Sequence, residues 1–150
     1  MKWNSKIQEA YDFAQNKHGE QLDDSGKSYF IAHICQVAEI LSKVTNDDDI
    51  ICAGLLHDTL EDTDTLFVEL QTRFGLRVAD MVYQVTHDGT NDNYGYYFPR
   101  LESKDAILVK FADRLSNLSR MESWDKDRQE QYLKKSKFWK DEVDKFTARG

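Results

Sequence analysis

The sequence predicts an all-α protein, a single-domain helical bundle spanning residues 1–150, and three observations carry that expectation. Only one proline stands in 150 residues, against an average usage of about 5%, so almost nothing interrupts a helix. Apolar residues recur at three- and four-residue spacing in segment after segment, the period of a helix with one buried face. The length is that of one ordinary domain with a sizeable core, and no internal repeat, low-complexity tract or linker divides it.

The elements follow in order. From about residue 4 to 18, Trp3, Ile7, Ala10, Tyr11 and Ala14 share one stripe, which marks a docking helix rather than a secretory leader. A second helix covers about 32 to 45, with Ile34, Val37, Ala38 and Leu41 inward. "TNDDDIICAGLLH" opens a third, and its aspartates from Asp47 suit a helix N-terminus and its dipole. Capping explains them better than a metal site does. "DTLFVELQTRFG" is a short helix that Gly75 stops, and "LRVADMVYQVTH" is another, ending at the turn-rich "DGTNDN". "DAILVKFADRLSNLSRM" is strongly periodic, with Ile107, Phe111, Leu115 and Leu118 expected inward. A final charged helix runs from about Asp125 to Phe146.

Composition narrows the function. With 40% hydrophobic and 31% charged residues the chain is globular. A net charge of −7 argues against nucleic acid as partner, because that binding rests on basic surface. The longest apolar run, "IICAGLLH", is far short of the ~20 residues that cross a bilayer. Cys35 and Cys52 lie in apolar surroundings and read as reduced core thiols of a cytoplasmic protein. Cys35 follows His33 by two residues, but a helix would point those two side chains in different directions. Nothing in the sequence fixes an oligomeric state.

Chemistry concentrates in "CAGLLHDTLEDTDT", residues 52 to 65. A buried apolar run ends in His57 and Asp58, with Glu61 and Asp62 one helical turn on. Buried carboxylates need compensating charge, and a divalent metal at the helix end would supply it. His33 and Asp113, each in an apolar helix, are further candidates. Two imidazoles and two carboxylates, with positions left for water or phosphate oxygen, suit six-coordinate Mn²⁺, with Mg²⁺, Fe²⁺, Co²⁺ and Zn²⁺ as competitors. Glu61 and Asp62 would then hold a water and move its proton. A second dipeptide, His87-Asp88, runs into Gly89, Thr90 and Asn91 and reads as a solvated loop.

Together these residues resemble the HD superfamily of metal-dependent phosphohydrolases, in particular the hydrolase domain of Rel/SpoT-type enzymes and the small alarmone hydrolases. The likeness covers roughly residues 8 to 140: "KHGEQ", "YFIAH", "AGLLHDTLEDTDT", "RFGLRVADMVYQVT" and "VKFADRLSNL" stand in the family's order and at nearly its spacing. The resemblance implies an HD-domain helical bundle that removes the 3′-diphosphate of (p)ppGpp with Mn²⁺. It places the metal ligands on His33, His57, Asp58 and Asp113, and the catalytic acidic pair on Glu61 and Asp62. It places a substrate-contacting Asn on Asn117 and phosphate contacts on Arg128 and Tyr132, beside Trp124.

The departures bear on the substrate. Alarmone hydrolases carry a basic Arg-Lys pair against the guanine nucleotide, where this chain has Leu22, Asp23 and Asp24 after a one-residue gap. An acidic pair there is expected to repel phosphate. His87 and Gly89 replace an acid and a Lys of the family. "NYGYYFPRL" resembles a bacterial branch with a Tyr-x-x-Tyr-x-x-Arg pattern, here Tyr94, Tyr97 and Arg100. Arg100 is a candidate replacement phosphate contact, and a small aromatic satellite core explains the segment equally well. The expected substrate is ppGpp or ppApp. The alternatives are another phosphorylated nucleotide (a deoxynucleotide or the 2′-phosphate of NADPH), or a metal-binding sensor without turnover.

Overall fold

Asn4 starts the first helix: its backbone is extended and its side chain accepts the Ile7 N–H at 2.9 Å, a capping contact worth about 1 kcal/mol. The computed structural model describes residues 3–23, 25–86, 101–120 and 125–135, without the side chains of residues 131–135. Helix α1 (Ser5–His18) buries Ile7, Ala10, Phe13 and Ala14 and stops at Gly19, whose φ of 55° favours glycine. A loop follows, pinned by an isolated antiparallel bridge between Leu22 and Ser28.

The second helix differs from the sequence expectation at its start. A π-helical turn, Phe30–Ile34, precedes α2 (Cys35–Ser42) and carries the fully buried His33. A π-turn takes in one residue more than an α-turn.

Helix α3 (Asp48–Leu56) is the central element, packing against α1, α2 and the later helices Leu76–Val85 and Lys104–Leu118. Every residue from Ile50 to Leu56 is buried. Its aspartates cap, as the sequence implies: the Asp47 side chain accepts the Asp49 N–H, and Asp48 and Asp49 lie in the first turn. Arg77 gathers Asp47, Asp49 and Asp105 at 2.8–3.0 Å, tying three helix starts together. Gly54 lets α3 approach α2 closely, since a Cβ there would lie 2.5 Å from the Leu41 Cδ1.

Beyond α3 come the single turn α4 (Thr59–Asp62), then α5 (Phe67–Phe74), halted by Gly75 at φ 95°, and α6 (Leu76–Val85). The Gln84 amide oxygen accepts the N–H groups of Glu102 and Ser103, docking α6 to the start of α7 (Lys104–Leu118). Helix α8 (Lys126–Lys135) lies within the stretch expected to form the final charged helix. His87-Asp88, Tyr94, Tyr97, Arg100, Trp124 and residues 136–150 lie outside the described residues.

The face of α7 corrects the sequence expectation. Phe111 is 40% and Leu115 52% exposed, and Ile107 and Leu118 are only partly buried. The inward face is Ala106, Val109, Lys110, Ala112, Asp113 and Ser116. At about 100° per residue, Asp113 sits opposite the Ile107–Phe111–Leu115–Leu118 stripe, so the two could not both face the core. Small residues let α7 pack closely while its polar row points inward.

Both cysteines are free thiols, raised by burial to about 11 for Cys35 and about 12 for Cys52. Among the described residues no helix is long and apolar enough to cross a membrane.

Candidate active site

The site is made where α3 breaks. His57 ends that helix and Asp58 adopts φ −98° and ψ 0°, the bridge region in which many active-site residues sit. The Thr59 hydroxyl donates to the Leu56 carbonyl at 2.7 Å, closing the break before α4 begins. The break turns two side chains adjacent in sequence toward one point, with His57 Nε2 and Asp58 Oδ2 3.2 Å apart.

His33 from the π-turn and Asp113 from α7 complete the cluster. His33 Nε2 lies 3.2 Å from His57 Nε2, 3.0 Å from Asp113 Oδ1 and 3.6 Å from Asp58 Oδ2. His57 Nε2 lies 3.3 Å from the same Asp113 oxygen. Donors held at about 2.1 Å from a divalent ion are roughly 3.0 Å apart at right angles and roughly 3.4 Å apart in a tetrahedron. The separations match, and the nitrogen–oxygen donor set fits a divalent metal.

The groups behind the donors fix their orientation. The Gly54 carbonyl can only accept, so His57 Nδ1 donates to it at 2.7 Å, leaving Nε2 to present a lone pair when the ring is neutral. Ser116 donates to Gln36 Oε1 at 2.7 Å and accepts from His33 Nδ1 at 2.9 Å, which gives His33 the same tautomer. Tyr29 donates its hydroxyl to Asp58 Oδ2. Lys110, itself buried, lies 3.1 Å from the other oxygen of Asp113.

Electrostatics follow from this crowding. Burial works against charge on His57, but Asp58 and Asp113 overcome it and raise the imidazole well above its ordinary value. Burial also opposes charge on Asp113, yet Lys110 and the imidazoles hold it well below the usual carboxylate range. Asp58 is likewise lowered against burial, chiefly by His57. Burial lowers Lys110 and, with Asp58, raises Tyr29.

One turn on, the carboxylates of Asp58, Glu61 and Asp62 lie within 4.8 Å of one another. Partial burial of the Asp62 carboxyl, then the charges of Asp58 and Glu61, raise it to about 6. Asn117 donates to Asp113 Oδ1 at 3.4 Å and accepts from Arg120 at 2.7 Å. Arg128 is exposed on α8, its backbone N–H on the Asp125 carboxylate at 2.8 Å. Tyr132 lies on α8 with its side chain outside the described part, as is all of Arg100.

Asp23 does not stand as the free acidic charge that the sequence implies. Its carboxylate accepts the N–H groups of Ser25 and Lys27 and the Ser25 hydroxyl, and pairs with Arg120 at 3.2 Å. Asp24 lies outside the described residues.

The HD domain family model matches residues 10–93, a span that includes His33, His57, Asp58, Glu61 and Asp62. The chain belongs to the HD domain family. This HD-domain chain is 44% identical over 121 residues to a guanosine-3′,5′-bis(diphosphate) 3′-pyrophosphohydrolase of Aquifex aeolicus, covering 75% of its own length and 17% of that longer protein. It is 38% identical to the guanosine-3′,5′-bis(diphosphate) 3′-pyrophosphohydrolase MESH1 of Xenopus tropicalis, with 91% of this chain and 82% of that protein covered. The human protein of the same name is 37% identical, with 86% and 79% covered. A solved structure described as a metazoan ortholog of SpoT that hydrolyses ppGpp superposes with a TM-score of 0.77 and 29% identity, over 91% of this chain and 84% of that one.

Tyr29, Lys110, Ser116, Gln36 and Arg120 were not singled out from the sequence. Spacing held a signal for most of them: Tyr29 and Gln36 lie four before and three after His33, and Lys110 and Ser116 lie three either side of Asp113.

Proposed function

We propose that this HD-domain protein is a metal-dependent 3′-pyrophosphohydrolase of a phosphorylated nucleotide of the ppGpp class, with Mn²⁺ as its working metal, acting in the cytoplasm. The observation that carries it is the convergence of His33, His57, Asp58 and Asp113, in which each carboxylate lies 3.0–3.6 Å from both imidazoles, beside an acidic pair and in a family whose similar members are named for this reaction. These four are the proposed ligands. A divalent metal held there supplies Lewis acidity, acidifying water and polarising the phosphoryl oxygen.

The chain's own residues do the rest. In this hydrolysis water adds to the phosphorus esterified to the ribose, the bond to the 3′ oxygen breaks, and pyrophosphate departs as the 3′ oxygen becomes a hydroxyl. Glu61 and Asp62 orient the water, accept its proton and return one to the leaving oxygen. Asp62, raised to about 6, is poised for transfer near neutral pH. Asn117, Arg128, Tyr132 and Arg100 are the proposed ribose and phosphate contacts, where an Arg fork with a hydroxyl beside it suits phosphate.

The test is a panel of nucleotides incubated with Mn²⁺-loaded protein, with the products identified. Release of pyrophosphate from ppGpp or ppApp is the expected result. Turnover confined to a deoxynucleotide or to the 2′-phosphate of NADPH would change the substrate, and metal binding with no turnover on any member would make the protein a sensor.

A further inference from the structure

A cavity of about 750 Å³ opens between the loop after α1, the start of α2 and the end of α7. That volume lies within the range of about 300–1,000 Å³ typical of small-ligand sites. Lys27, Ile31, Gln36 and Arg120 are among its lining residues. Two hydrogen-bond routes connect the cavity wall to the proposed metal ligands. One runs from Gln36 through Ser116 to His33. The other runs from Arg120 through Asn117 to Asp113. A nucleotide with its phosphate at the metal centre therefore has this cavity within reach of its nucleoside end.

Arg120 is held in an unusual way. Nη1 donates to Asp23 at 3.2 Å and Nη2 to Asn117 at 2.7 Å, while Nε is buried with no hydrogen-bond partner. Nη1 and Nη2 each give one of their two N–H groups to these partners, which fixes the guanidinium in place. Fixed in this way, it can offer a ligand its planar face, which stacks on any aromatic ring without reading its edge. Ile31, 66% exposed, adds apolar surface to the same cavity.

We propose that Arg120 is a binding residue for the nucleoside end of the substrate, stacking its guanidinium on a purine, and that Asp23 is the positioning residue that holds it there. The inference rests on the function proposed above. It also assigns a use to the aspartate at the position where the alarmone enzymes carry a base. Asp23 spends its charge on its own loop and on Arg120, which brings a guanidinium from the end of α7 to the cavity that Lys27 also lines. A stacking cation discriminates poorly between purines, so guanine and adenine nucleotides should bind alike.

The experiment is steady-state hydrolysis of ppGpp and of ppApp by Mn²⁺-loaded wild type, Arg120→Ala, Arg120→Lys and Asp23→Asn, with metal content measured for each. Wild type should show less than about tenfold preference in kcat/KM between the two nucleotides, as expected of stacking without edge recognition. Arg120→Ala should raise KM roughly tenfold for both nucleotides, the scale of a partly desolvated cation–π contact, with kcat and metal content held. Arg120→Lys keeps the charge and the pairing with Asp23 but lacks the planar face, so it should fail to restore KM. Asp23→Asn should raise KM by a smaller factor in the same direction. An unchanged KM in Arg120→Ala, full rescue by Lys, or strong wild-type selectivity for one purine would each overturn the inference while leaving the proposed function standing. A wild type inert toward both nucleotides would instead overturn the function on which the inference rests.

Discussion

At the scale of single residues, the chemistry turns on side chains whose neighbours decide what they can do. Glu61 and Asp62 lie within 4.8 Å of Asp58, close enough to act on the same water without belonging to the His33–His57–Asp58–Asp113 cluster. Glu61→Gln is nearly isosteric but cannot take a proton at neutral pH. It should keep the metal and lower kcat by at least ~10²-fold, the usual loss of a general acid or base. Metal analysis beside turnover of the best substrate checks this, and unaffected turnover would assign the proton transfer to Asp62 alone. His57 and Asp58 stood out in the sequence because ionisable groups at the end of an apolar run demand compensation. Their supports were not: Ser116, Gln36 and Tyr29 are ordinary in sequence, and only the packing of α2 on α7 reveals what they touch. Asp23 was read from its charge alone, and its pairing with Arg120, 97 residues away, could not be read locally.

At the scale of elements, helix existence was legible and helix orientation was less so. The Asp47 cap and the Gly75 stop lie where the sequence signals put them, while the caps at Asn4 and Ser103 emerge from the structure. The third helix was unambiguous because nearly all of it is apolar. Helix α7 offered two candidate faces, a large apolar stripe and a small-residue face bearing Asp113. The stripe has the greater hydrophobicity, but the face with Asp113 reaches His33 and His57. Two substitutions separate these faces. Leu115→Ser, at a position 52% exposed, should change stability by no more than about 0.5 kcal/mol in urea unfolding, as expected of a surface change. Ser116→Ala, fully buried, removes the acceptor that fixes the His33 tautomer. It should weaken metal affinity by about 10–100-fold, typical for a group behind a metal-binding histidine. A large stability loss in the Leu115 variant would restore the apolar stripe to the core.

For the whole molecule, the four donors arrive from the π-turn, the end of α3 and α7, so whatever occupies their centre ties distant parts of the chain together. Without metal, a proton does part of that work: His57, raised well above its ordinary value by Asp58 and Asp113 against its own burial, offsets the buried carboxylates as an imidazolium. Its raised folded value means that its stabilisation is fully present below the unfolded value of about 6.5 and is lost as pH rises through the folded value. Asp58 and Asp113 are depressed, so their stabilisation is present above about 3.8 and is lost only as pH falls toward their folded values. The chelated protein should therefore be most stable between about pH 4 and about pH 6.5 and should weaken on the alkaline side. Metal requires the neutral imidazole, so protons compete with it and affinity should rise with pH over the same interval. At a metal concentration a hundredfold above Kd the stabilisation is about 2.7 kcal/mol, or roughly 5–10 °C in Tm for a chain of this size. Thermal unfolding with Mn²⁺ and with chelator, from about pH 5 to about pH 8, should give curves that diverge as pH rises, spanning the ordinary histidine range. A metal-induced Tm increment that is constant across that range would show that His57 does not exchange its proton for the metal.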